Sequence, residues 1–279
     1  MKKLITAISL VLVPTVALAW GVAMMGGGVE VGTTDFVFTV ETTGAEETFT
    51  IPCKSGTFNA TVDWGDETAT SEITTYNDAD LAHEYASAGE HEIRISGTFP
   101  NIYFNNTGDK LKIISVSNLG DVGWTTLENA FYGCSNMMSF TAGNTDTSSV
   151  TNMYAMMYGW SSMTSSPDLS SFDTSSVANM GYMMRGWSSM GEVGDIGVKD
   201  FDISALNGTG DLDDFASDIT FSTAAYDDIL ISWAAQTVFS GMNPDFGSSK
   251  YTSGGTAETA RTSLINDDSW TIDDGGEAP

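Results

Sequence analysis

Basic residues are scarce in this chain. Ten Lys and Arg stand against 37 Asp and Glu among 279 residues, a formal charge of −27 at neutral pH. Nucleic-acid binding needs Lys and Arg to neutralise phosphates, and docking on anionic lipid needs the same groups, so neither is an ordinary mode for this protein. Cysteine is nearly absent, with only Cys53 and Cys134. Two thiols in an oxidising compartment allow one bridge. Cys53 ends a strand-like run, however, and Cys134 sits at an inward-facing repeat position, so both read as buried thiols lying too far apart to pair. Beyond the first 19 residues no apolar run approaches the ~20 residues of a membrane-spanning helix. What is plentiful is Gly, Ser, Thr, Asn and Asp, the composition of a turn-rich extracellular fold, and 41% hydrophobic residues suffice for a packed core.

The N-terminus reads as a targeting segment. Met1-Lys2-Lys3 is a positive start, Leu4 to Val16 is almost wholly apolar with Pro14 inside it, and Ala17-Leu18-Ala19 supplies small residues for cleavage before Trp20. An uncleaved anchor is the alternative. The expected organisation is a signal peptide over 1–19, a linker over 20–33, a β module over 34–105, repeats over 106–205 and a cap over 206–279. Secretion or display at a cell surface follows, with no transmembrane span in the mature chain.

The β module announces itself by period two. Phe36, Phe38 and Val40 alternate with Val37, Thr39 and Glu41, and the runs 48–51, 58–62 and 90–95 follow with turn signals between them. Several short strands of this kind predict a small antiparallel sandwich. The run Asp63-Trp64-Gly65-Asp66, with His83-Glu84-Tyr85, Gly89 and His91 to Ile95, resembles the polycystic kidney disease (PKD) type of immunoglobulin-like domain over residues ~34 to ~100. On the residues themselves, Trp64 and Tyr85 are core aromatics and Asp63 and Asp66 hold a tight turn.

The middle of the chain repeats itself. Asp146 to Met163 and Asp173 to Met190 are nearly one sentence, and a diverged copy starts at Trp124. Such periods predict units stacked on one another. Val150, Met153, Met156, Met157 and Trp160 recur as Val177, Met180, Met183, Met184 and Trp187, and earlier as Trp124, Leu127, Ala130, Phe131 and Cys134. That spacing predicts one face of a helix in each unit, capped by Ser148 or Ser149 and by Ser175 or Ser176, and stopped at Gly133, Gly159 and Gly186. Short alternating runs at Ile114/Val116, Phe140/Ala142, Pro167/Leu169 and Ile196/Val198 predict parallel strands between helices. Tyr226 to Gln236 predicts an amphipathic helix in a closing segment. The fold class expected is mixed α+β: a small antiparallel β-sandwich, then a short leucine-rich-repeat-like α/β solenoid with a helical and β C-terminal cap.

Phe172-Asp-Thr-Ser-Ser-Val-Ala-Asn-Met180 and Tyr132-Gly133-Cys134-Ser135 closely resemble the BspA-type leucine-rich surface repeat family over ~111 to ~205. Trp160 and Trp187 stand where that family usually has Cys, and Met163 and Met190 where it usually has Leu, which exchanges one core residue for another. The resemblance implies attachment or recognition at a cell surface, with a host or neighbouring-cell protein or glycan as partner.

Chemistry is thinly represented. There is neither a Gly-x-Ser-x-Gly elbow nor a phosphate-cradling Gly-x-x-x-x-Gly-Lys-Ser/Thr. No cofactor and no catalytic residues are expected. Asp211, Asp213 and Asp214 are candidate Ca²⁺ ligands by their oxygen chemistry, against the plainer reading of solvated acidic surface. Thr147, Ser148 and Asn152, with Thr174, Ser175 and Asn179 one repeat on, are candidate binding-face residues; the competing reading is that they cap and turn the backbone. The function expected is a secreted, non-enzymatic binding protein. A virion or tail-associated receptor-binding protein and an accessory module of a secreted hydrolase system are the alternatives.

Overall fold

The structure, a computed structural model, describes residues 34–279. The expected signal peptide and linker lie outside the described residues. Among the described residues no helix is long and apolar enough to cross a membrane.

The period-two segments form strands. In chain order they are β1 (Phe36–Thr42), β2 (Glu47–Thr50), β3 (Asn59–Asp63), β4 (Ser71–Ile73), β5 (Ala82–Tyr85) and β6 (Gly89–Thr98). Then come β7 (Ile113–Asn118), β8 (Ser139–Phe140), β9 (Glu192–Val193) and β10 (Thr220–Phe221), with two helices, α1 (Thr223–Ala234) and α2 (Thr256–Asn266). Phe36, Phe38 and Val40 are fully buried, and β1 pairs antiparallel with β6 from Phe36 opposite Ile95 to Thr42 opposite Gly89. The turn after β3 is tight because Gly65 holds φ 74°, where a Cβ would sit 2.3 Å from the Glu92 carbonyl oxygen.

The expected fold class is overturned. Strands do not close a separate small sandwich before an α/β solenoid: one six-stranded mixed sheet runs β4-β3-β6-β1-β7-β8, and β2 with β5 forms a two-stranded sheet. Strand β7 is antiparallel to β1 and parallel to β8. The repeat helices are absent, and the described residues are mostly strand and turn with two short helices. Nor do all the expected inter-helix strands form. Pro167/Leu169 contributes only the bridge Thr141–Asp168, and Val198 lies in a single 3-10 turn.

The reason lies in the hydrogen bonds. Alternate N–H groups leave their own unit: Met153 donates to Asn179 (2.8 Å), Ala155 to Gly181 (2.9 Å), Met157 to Met183 (2.9 Å) and Gly159 to Arg185 (2.8 Å). The N–H groups between them close turns, as Met156 to Met153 (3.2 Å) and Tyr158 to Ala155 (3.3 Å). An α-helix needs every N–H for its own i−4 carbonyl and every φ negative. Here Ala155 and Tyr182 hold φ of 51° and 59°, and Gly159 and Gly186 hold 84° and 86°. Successive turns place apolar side chains about three residues apart, which imitates helical spacing.

Each unit is therefore a flat rung. Met153, Met156, Met157 and Trp160 and their counterparts Met180, Met183, Met184 and Trp187 expose no surface. Trp160 stacks on Trp187 with ring centroids 5.7 Å apart and planes 5° apart. Each indole N–H reaches a carbonyl of a preceding rung, Trp160 that of Phe131 (3.1 Å) and Trp187 that of Met157 (3.0 Å). Gly186 lets rungs approach: a Cβ there would lie 3.1 Å from the Gly159 Cα. Rungs continue through Leu212, Phe215, Met242 and Phe246, with Met184 donating to Phe215 (2.9 Å), Ala216 to Asp245 (2.9 Å) and Phe246 to Asp273 (2.8 Å). One continuous apolar core runs from Phe36 to Ile272, with α1 packing Tyr226, Ile229, Leu230 and Trp233 into it.

Candidate functional site

Most of the polar side chains that attract notice in the sequence are committed to holding rungs. Thr147 and Thr174 are buried, 0% and 1% exposed, so they present nothing to a ligand. The Thr147 hydroxyl donates to the Asp173 carbonyl (2.9 Å) and accepts the Asp173 N–H (2.8 Å); Thr174 does the same with Asp202 (3.0 and 2.8 Å). Ser148 and Ser175 do not cap helices. Their N–H and hydroxyl groups both donate to a carboxylate two residues back, Asp146 or Asp173, with the hydroxyl at 2.6 Å. Asn152 accepts the Tyr154 N–H (2.8 Å), while Asn179 accepts that of Gly181 (3.0 Å) and donates to Asp211 (3.1 Å).

The same economy governs the acids. Asp146 is held below the usual carboxylate range by the Ser148 hydroxyl and N–H, and Asp168 by those of Ser170. Much of the chain's acidity is thus turn chemistry. The histidines are equally engaged. His83 lies 2.8 Å from an Asp66 oxygen and stacks on Trp64 at 4.9 Å; His91 stacks on Tyr85 at 3.7 Å and bonds the Thr42 hydroxyl at 3.1 Å. Tyr85 donates to the Trp64 carbonyl (3.0 Å). Both cysteines are free thiols, and burial pushes both well up from the ordinary thiol value.

The three candidate Ca²⁺ ligands do not converge. Asp211 accepts the N–H groups of Asn207 (3.0 Å) and Gly208 (2.6 Å) on one oxygen and the Asn179 amide on the other. Asp214 accepts Arg185 at 2.9 Å. Among the described residues no three His, Cys, Asp or Glu are arranged to hold a metal ion.

Asp213 goes elsewhere. With Asp214, Asn243, Pro244, Asp245, Thr271 and Asp273 it lines an open depression of about 370 Å³ across the last rungs. Its Oδ1 is shielded from solvent and has no hydrogen-bond partner. Asp245 is raised above the usual carboxylate range, chiefly by desolvation and further by Asp273, Asp214 and Asp218, against the Gly247 N–H it accepts at 2.7 Å. Carboxylates from three rungs, far apart in the chain, share one hollow. Asp213 and Asp273 are visible as separate acidic clusters in the sequence; Asp245, Asn243 and Thr271 give no signal until the rung spacing is extended past residue 205.

Beside this hollow runs a row of tyrosines. Tyr132 stacks on Tyr158 at 4.6 Å with planes 5° apart, and Tyr182 lies 6.3 Å from Tyr158 and 5.5 Å from Tyr154. All four are half-buried. The Arg185 guanidinium sits over the rings of Tyr158 and Tyr182, at 5.7 and 5.6 Å, while it pairs with Asp214. Tyr182 is raised from the ordinary phenol value, first by desolvation and then by the negative charge of nearby Asp214.

Residues 125–247, less than half of the chain, match the family model described as "Mycoplasma protein of unknown function, DUF285". The match covers the stacked rungs and includes every lining residue of the acidic hollow except Thr271 and Asp273. No curated protein and no solved structure matches the chain.

Proposed function

We propose that this is a secreted or surface-displayed binding protein without catalytic activity, recognising its partner through the outer face of the stacked rungs. The observation that carries the reading is the tyrosine row with the acidic hollow beside it, set on rungs locked by inter-rung hydrogen bonds. A preorganised surface loses little freedom on binding, which favours recognition. The acid–base groups that hydrolysis would call on are engaged in other work: both histidines brace the β part, and both thiols are kept protonated by burial. The targeting pattern over Met1 to Ala19 supports export.

A screen of immobilised cell-surface proteins, glycans and whole cells with the purified chain tests this. Retention lost on Tyr158→Ala, with the melting transition kept, supports the reading. Turnover of a glycoside, ester or peptide panel, abolished by His83→Ala or His91→Ala, overturns it.

A further inference from the structure

We infer that Asn207-Gly208 is a self-modification site, at which the folded loop closes the Asn207 side chain onto the Gly208 nitrogen and water then leaves aspartate or isoaspartate at position 207. No reactant besides water is needed, and the binding reading above is not required.

Three observations meet at this loop. First, Asn207 is the only asparagine in the sequence followed by glycine. Glycine carries no Cβ to obstruct attack by its nitrogen on the preceding side chain. Second, water reaches the pair. Asn207, Thr209 and Gly210 are exposed, on a turn between buried Leu206 and Leu212. Third, a base stands at the nucleophile. One Asp211 oxygen accepts the Gly208 N–H at 2.6 Å and the Asn207 N–H at 3.0 Å. The Asn179 amide donates to the other oxygen at 3.1 Å, which fixes the carboxylate.

The steps balance with atoms already present. As the Gly208 N–H proton passes to Asp211, the nitrogen bonds to the carbonyl carbon of the Asn207 side chain. An amide N–H lies in the peptide plane while attack comes from its face, so Asp211 takes the proton without blocking the approach. The C–N bond of the side-chain amide then breaks, the proton goes to the leaving nitrogen, and ammonia departs. Water opens the cyclic imide at either carbonyl. Both products add one negative charge beside Asp211. Isoaspartate also adds a methylene to the main chain, in the rung whose Asp211 carbonyl accepts the Met180 N–H (2.8 Å).

Asp274-Gly275, the one aspartate–glycine pair in the sequence, lacks this freedom. The Asp274 side chain is 2% exposed and accepts Tyr226 (2.7 Å), Arg261 (2.7 Å) and the Gly276 N–H (3.0 Å). The Gly275 N–H is given to the Ser249 carbonyl (2.7 Å). This pair is expected to stay intact.

The test incubates the purified full chain at neutral pH and follows position 207 by peptide mapping with mass detection, which resolves asparagine, aspartate and isoaspartate. The folded chain is expected to convert several-fold faster than the same chain in urea, where Asp211 is no longer held beside Gly208. D211N keeps an oxygen for the two N–H groups but removes the base. It is expected to slow the folded chain about tenfold and to leave the rate in urea unchanged.

Conversion in the folded chain no faster than in urea overturns the inference, because the loop then fails to promote the step. So does a D211N rate equal to the native one, and so does conversion at Asp274-Gly275 as fast as at Asn207-Gly208. Should D211N fold poorly, the comparison of folded and urea-unfolded native chain decides alone.

Discussion

Two regions of this molecule use the same kind of hydrogen bond in different ways. In β1, β3 and β6 the ladder joins segments of alternating side chains, and the buried and exposed residues alternate along β6 from His91 to Ile95. In the rungs between Trp124 and Asp245 only every second N–H joins the ladder, and the others close turns inside the rung. The first pattern leaves its period in the sequence. The second overlays a period of about three on a β-like stack, so its sequence looks helical while its backbone is not. The general lesson is that a spacing of three and four is evidence for a buried stripe before it is evidence for a helix.

The strongest way to break the comparison is through the core the regions share. Trp160→Ala and Trp64→Ala are each expected to cost about 3–5 kcal/mol and to shift one shared cooperative transition in urea, followed by tryptophan fluorescence and circular dichroism together. Two separate transitions, one untouched by each substitution, would divide the regions that the continuous core unites.

Thr147→Val sharpens the role of the inter-rung threonines. The shape is kept, but the Asp173 N–H and carbonyl lose their partner inside the stack, which costs about 1–3 kcal/mol by chemical denaturation. Ser148→Ala, at the exposed neighbour, is expected within about 0.5 kcal/mol of native. Equal effects would mean that both residues merely shape a turn.

Gly186→Ala tests the close approach. A φ of 86° and a Cβ 3.1 Å from the Gly159 Cα together make a cost of about 1–2 kcal/mol the expected result, again by denaturation. A neutral outcome would show that the rungs have room to part.

Acid gives the smallest effects and two opposite signs. Glu47 is lowered to about 2 by the Thr43 N–H, with Lys112 and the Gly44 N–H, and the Ser148 and Ser170 groups lower Asp146 and Asp168. Such groups support the fold fully above their unfolded values, near 4, and lose that support as pH falls through their lowered folded values. Asp245 runs the other way. Its raised value favours the fold below about 3.8 and withdraws that contribution as pH rises through the folded value, so Asp245→Asn is expected to hold or raise the melting temperature at pH 7. A lower melting temperature for that variant at pH 7, with the native protein's acid profile unchanged, would contradict the crowding of carboxylates in the hollow.

Several elements were legible from residues alone, and their reasons are local. The strand around Phe36, Phe38 and Val40, the helix expected over Tyr226 to Gln236 and observed as Thr223–Ala234, and the burial of the Met and Trp stripe follow from alternation and apolar recurrence; the Ser222 cap that starts the helix three residues earlier was not read from the sequence. The binding-face candidates illustrate the limit. Thr147 and Thr174 look like a surface ladder in sequence, yet their hydroxyls point at backbone 26 and 28 residues further on, a partner that no local pattern reveals. The hollow was less legible still, since Asp213, Asp245 and Asp273 belong to three rungs of unequal length.

The sequence by itself determined which side chains leave water and how often the chain returns, because apolar spacing and repetition are written residue by residue. Tertiary structure decided what the backbone does with that repetition. An N–H can close a bond within its own turn or reach the next rung, and the choice depends on whether a neighbouring carbonyl is already there. Once Asn179, Gly181 and Met183 lie beside Met153, Ala155 and Met157, the inter-rung bonds take the N–H groups that a helix would have used.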